Sequence, residues 1–165
     1  MNMFFLDSDP IKAAQQYCDT HNSKIILEIA QCLCTALWVN GIEAPYKPTH
    51  KNHPVSKWTR NTRENWQWTL DHVKALLEEK IKRTNVGHKS YSVIESIKDI
   101  PIPFPSSGLE KFPVCIADDK KCRQDQRFTE SDPVLCYKLY YIYDKAEIAK
   151  WKNSEIPNWF LTGQI

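Results

Sequence analysis

The sequence predicts a mainly α-helical chain of three long helices joined by long irregular connections, and three observations predict it. A capping-type residue is followed by proline, the pair that opens a helix, at Asp9-Pro10, His53-Pro54 (with Asn52 just before) and Asp132-Pro133. Apolar residues then recur at a helical period, as in Val55, Trp58, Trp66, Leu70, Val73, Leu77 and Ile81. Between the second and third helical regions, DIPIPFPSSGLEKFP at 99–113 is too rich in proline for a regular element. It reads as a loop that wraps the body or covers a cleft.

The first helix is expected from Pro10 to about Trp38, ended by Asn40-Gly41, with a kink or split at the weak helix formers Asp19, Thr20, Asn22 and Ser23. The second runs from Pro54 to about Thr84 and is stopped by Gly87. A shorter helix is expected around Ser90 to Lys98. The third long helix runs from Pro133 to Lys152 and carries Leu135, Leu139, Ile142, Ala146 and Ala149. MFFL, residues 3–6, reads as one short strand with no obvious partner. There is no internal repeat and no low-complexity tract.

With 165 residues, 42% hydrophobic and 25% charged, the chain fits a single domain, 1–165, that can bury a real core. No stretch nears the ~18 consecutive apolar residues of a membrane span, so no membrane partner is expected. The start, MNMFFLDSDP, has no basic region and no small-residue cleavage site, so no secretory signal is expected and the compartment reads as cytoplasmic. Cys18, Cys32, Cys34, Cys115, Cys122 and Cys136 then read as reduced thiols packed as small hydrophobes; their spacings are not those of a zinc knuckle.

Within YCDTHNSKIILEIAQ, residues 17–31, His21, Lys24, Glu28 and Gln31 recur at spacings of three, four and three. At about 3.6 residues per turn they form one titratable stripe between apolar flanks. Such a stripe points to a polar site, with His21, Lys24 and Glu28 as catalytic candidates lining one cleft wall. The segment 47–63, KPTHKNHPVSKWTRNTR, holds Lys47, Lys51, Lys57, Arg60, Arg63, His50 and His53 and no acid, although the whole chain carries only +2. A basic patch that runs into a helix start suits phosphate, since the first amides add their own dipole. His50, Lys51, His53, Lys57, Arg60 and Arg63 are the phosphate-binding candidates.

Trp66 and Trp68 are two apart and point about 200° apart on a helix, so only one joins the main core stripe. Trp68, sharing a face with His72 and Glu64, is either a stacking surface for a base or a packing partner of Trp151, Trp159 and Phe160. His50 and His53 with Asp19 and His21 form the one metal set to weigh. H-x-x-H in a loop lacks the rigid spacing of a helical zinc site, so neither a metal nor a cofactor is expected. HNS at 21 and HKS at 88 match the paired H-x-[ST] of metal-independent phosphodiesterases only superficially, because those motifs lie on strands.

CDTHNSKIILE places Asp19 and His21 ahead of a helical Glu28, and THKNHPVSKWTRNTRENWQW opens a long aromatic-rich helix. Together they resemble the pyrimidine-dimer DNA glycosylase family of the phage endonuclease V type, and more closely uncharacterised phage proteins grouped with it. The likeness covers residues 1 to about 85. It implies a compact all-α, metal-independent enzyme acting on DNA inside an infected bacterial host. In that family the chain's α-amine attacks the sugar carbon of a damaged nucleotide, and a helical glutamate stabilises the cationic sugar and assists proton transfer. Carried over by position, Glu28 matches that glutamate and His21 its neighbour across the helix.

The pattern departs from the family at residue 2, which is Asn rather than a small residue exposed by removal of Met. It departs again beside the glutamate, where Leu27 and Gln31 stand instead of arginines. Met1 is therefore expected to stay, its amine to stand away from Glu28, and borohydride to trap no DNA adduct. Two functional readings follow. The motif favours a glycosylase-like enzyme on DNA. The modest net charge favours a binder or hydrolase of a small, cyclic nucleotide signal in phage counter-defence. A structural protein whose polar stripe is a satisfied internal network is the third reading.

Overall fold

The computed structural model describes residues 3–165. Of these, 52% are helical, and no strand is present among the described residues. The helices are α1 (Pro10–Gln16), α2 (Asp19–Val39), α3 (Pro54–Thr59), α4 (Arg63–Thr84), α5 (Tyr91–Ile97), α6 (Pro133–Asp144) and α7 (Asn158–Thr162), with a 3-10 turn at Lys121–Gln124. α4 is the hub: α1 and α2 pack on it, and α3 packs on α2. The chain is thus mainly α, but each of the three expected long helices is shorter than its sequence pattern.

The three cap-proline pairs open helices as their chemistry dictates. The Asp9 carboxylate accepts from the Ile11 and Lys12 amides at 2.8 and 3.0 Å. His53 Nδ1 accepts from the Val55 amide at 3.2 Å, and Asp132 from the Leu135 amide at 3.0 Å. The helices end early where side chains bond backbone groups at the breaks. The first splits at Tyr17 and Cys18, both extended. There the buried Arg83 guanidinium donates to Gln15 O at 3.0 Å and Tyr17 O at 2.7 Å. The second splits over Arg60–Thr62, where Asn65 Nδ2 donates to Trp58 O at 2.8 Å and the Thr62 hydroxyl caps the Asn65 amide at 3.0 Å. The third stops at Asp144, whose carboxylate turns to accept from the Lys121 and Cys122 amides, both at 2.9 Å. α2 does end at Asn40-Gly41, where Gly41 takes a φ of +76° that a side chain would strain.

Met3–Leu6 is buried but forms no strand; the Leu6 amide turns back to Phe4 O at 3.1 Å. Its polar anchor is the Tyr17 hydroxyl, which donates to Phe4 O at 2.9 Å and accepts from Phe4 N at 2.6 Å. Phe5 stacks between Trp68 and Phe112, with centroids at 4.6 and 4.9 Å. The proline-rich loop wraps the start of α4. Pro105 O accepts from the Arg63 amide at 2.8 Å, and Glu64 accepts from the Ser106 hydroxyl and the Ser107 and Gly108 amides. The six cysteines are free thiols, with only Cys115 partly exposed. No helix among the described residues is long and apolar enough to cross a membrane.

Candidate functional site

α2 carries the titratable stripe, and the fold sends its members to three different surroundings. His21 turns into the core, at 6% exposure, so it lines no cleft wall; this corrects the sequence expectation. The reason is the aromatic lid the sequence stripe does not reveal: Phe4 lies over the ring at 4.5 Å, and the Tyr141 hydroxyl is 2.7 Å from Nδ1. Burial, reinforced by the charges of Lys145 and Lys24, pulls its pKa to about 4, so the ring is neutral at neutral pH. Lys24 is exposed and lines a cleft toward the end of α4, away from that aromatic cage.

Glu28 is half-buried on α2. Its charge acts on the His53 imidazole and on the Tyr17 hydroxyl. His53 caps α3, and burial holds its basicity below the ordinary histidine value, with Glu28 opposing that shift. Because Nδ1 accepts a backbone N–H, the neutral ring carries its proton on Nε2. A carboxylate that can accept a proton and an imidazole whose Nε2–H can donate a hydrogen bond thus act in one electrostatic environment.

Beneath them lies a polar floor that the sequence reading missed. One turn after Glu28, the buried Cys32 thiol donates to Thr59 Oγ1 at 3.3 Å and faces Ser56 Oγ at 3.7 Å. Thr59 and Thr69 hydroxyls are 3.4 Å apart, and Thr69 donates to Asn65 O at 2.8 Å. Burial raises the Cys32 pKa, so it is a thiol and not an attacking thiolate. The available signal was the spacing: Cys32 at i+4 from Glu28, and Ser56 and Thr59 three apart on the facing helix.

The basic segment divides into braces and open charges. Arg60 donates to Ser56 O at 2.9 Å and Lys51 O at 2.8 Å, so its guanidinium ties the loop to α3 and is not an open phosphate ligand. Lys47 lies over the Trp38 ring at 4.8 Å. His50 is exposed in the left-handed region with φ +47°. Lys51, Lys57 and Arg63 are exposed, and no ion pair among the described residues holds them.

Trp68 corrects the stacking expectation. It is 4% exposed, its faces are taken by Phe5 at 4.6 Å and His72 at 4.8 Å, and its indole N–H donates to Ser8 O at 2.7 Å. No base can reach it, and its partners come from the N-terminal segment, not from Trp151, Trp159 and Phe160. His72 is likewise buried, donates from Nδ1 to Pro10 O at 2.8 Å, and has its pKa pulled to about 4 by desolvation. No group of three or more His, Cys, Asp or Glu side chains suited to a metal occurs among the described residues. The expectation about the α-amine concerns Met1, which with Asn2 lies outside the described residues. No protein-family model, curated protein sequence or solved structure matches the chain.

Proposed function

We propose that this chain processes nucleic acid or a nucleotide, in the manner of a DNA glycosylase, with Glu28 as its reacting carboxylate. The observation that carries the reading is that the half-buried Glu28 acts on His53, the cap of α3, within a basic segment whose Lys51 and Lys57 stand open to solvent. In this mechanism water attacks the sugar carbon as the glycosidic bond to the base breaks; Glu28 stabilises the positive charge that develops on the sugar and takes the proton of the water, and the departing base is protonated from solvent. His53 donates a hydrogen bond from Nε2 to the departing base, and the lysines and Arg63 bind flanking phosphates. His21 is left out of the reacting set, since it is neutral and shielded by Phe4 and Tyr141.

The net charge of +2 favours a second substrate class for the same carboxylate, a small cyclic nucleotide, because duplex binders are usually more basic. One panel decides between them. Purified protein is offered abasic DNA, ultraviolet-damaged DNA and cyclic dinucleotides, with a borohydride arm for covalent adducts. Turnover of one class, reduced about a hundredfold or more in Glu28→Gln with the thermal midpoint kept, is the expected result. Equal turnover in wild type and Glu28→Gln removes Glu28 from the reaction, and no turnover of any class removes the enzyme reading.

A further inference from the structure

We infer that the cleft between the start of α2 and the end of α4 is a separate binding site for a small phosphate-bearing ligand of nucleoside-diphosphate size. It does not rest on the reading of Glu28. The cleft measures about 630 Å³, within the roughly 300–1,000 Å³ of small-molecule sites. Its lining carries four cationic side chains, Lys24, Arg83, Lys150 and Lys152, against one carboxylate, Asp19.

That carboxylate is already engaged. Asp19 Oδ1 takes Arg83 at 3.3 Å, and Oδ2 accepts the Lys152 amide at 2.8 Å. No ion pair among the described residues holds Lys24, Lys150 or Lys152, three exposed lysines that line the one cleft. A phosphate within reach of their ammonium groups would gain charge-assisted hydrogen bonds.

The backbone that carries two of the lysines is held in place by the fold. The Asp19 amide donates to Lys150 O at 2.9 Å, so residues 150–152 dock on the first turn of α2 at two points. Trp151 between them is 8% exposed and packs on Phe160 at 4.8 Å, while both lysines line the cleft. Lys24 stands one turn beyond Thr20 on the same face of α2, and the Thr20 and Ser23 hydroxyls add neutral donors. Lys80 reaches Ser23 Oγ at 3.0 Å and brings a further ammonium to the rim. Two lysines from the C-terminal segment and one from α2 thus flank hydroxyls at a helix start, an arrangement suited to two adjacent phosphates.

The test is isothermal titration of the full chain with adenosine diphosphate, inorganic pyrophosphate and a single-stranded octanucleotide, at low salt. Saturable binding of the diphosphate and pyrophosphate is expected, weakened at least about tenfold in Lys150→Gln/Lys152→Gln and also in Lys24→Gln. Lys150→Arg/Lys152→Arg, which keeps the charges, should retain binding and guards against a fold defect in the glutamine pair. Lys121→Gln, the same loss of one charge as Lys24→Gln but on the 3-10 turn outside the cleft, should leave affinity unaltered. No saturable binding of either small probe, unchanged affinity in the glutamine double variant, an equal loss in Lys121→Gln, or binding of the octanucleotide alone would each overturn the inference.

Discussion

Arg83→Met is expected to lower the unfolding free energy by about 3–5 kcal/mol, the usual consequence of removing one partner from a buried charge network. The Arg83 side chain is 2% exposed and bonds Glu79 Oε2 at 2.9 Å while also reaching Asp19. It donates to Gln15 O and Tyr17 O at the end of α1 as well, so its loss leaves those two backbone oxygens without this donor and Glu79 with Lys82 alone. The damage falls on the joint that separates α1 from α2 and sets the start of α2. Arg83→Lys keeps the charge but not the fork, and should fall between wild type and Met. Urea unfolding at pH 7 measures both. A cost for Arg83→Met under about 1 kcal/mol, the scale of a solvent-exposed pair, would mean that water replaces the network.

Acid is expected to destabilise the fold well before carboxylates titrate. His21 and His72 have folded pKa values of about 4, below the ~6.5 of an unfolded histidine. Between those values the unfolded chain binds the protons and the folded chain refuses them. Stability is therefore complete above about pH 6.5 and is lost as pH falls toward 4, by roughly 3 kcal/mol for each of the two groups. His53 and His88, lowered by partial burial, add in the same direction. Asp9, Glu64 and Asp144 sit below their usual range and contribute only at lower pH. Urea midpoints should drop steeply from pH 7 to 4.5, and His72→Gln should flatten the slope. A flat profile over that window would place both rings in water.

Helix starts were legible because a capping side chain and a proline act locally: Asp9, His53 and Asp132 each bond the amides their spacing predicts. The ends at Asn40-Gly41 and Thr84 were legible too, but the breaks after Gln16 and Asp144 were not, because the groups that meet there come from far along the chain. Arg83 lies 66 residues from Tyr17, and Asp144 is 22 residues from the Cys122 amide it caps. Periodicity continues through such breaks, so Val55 and Trp66 look like one helix when Asn65 and Thr62 divide two. The stripe on α2 was legible as a face but not as a site. Which of its members meets solvent depends on Phe4 and Tyr141, which no local pattern assigns to His21. Trp68 was ambiguous for the same reason, since its burial is decided by Phe5 and Ser8. The shared environment of Glu28 and His53 needed the third dimension, although both residues stood out in the sequence.

The His53 titration tests most directly whether Glu28 and His53 share one electrostatic environment. Long-range proton–nitrogen NMR follows the ring through pH in wild type and in Glu28→Gln. The Glu28 charge supports the protonated imidazole against burial, so its removal should shift the His53 titration to lower pH, with the His88 curve unmoved as an internal reference. A His53 titration that is the same in both proteins would contradict the account.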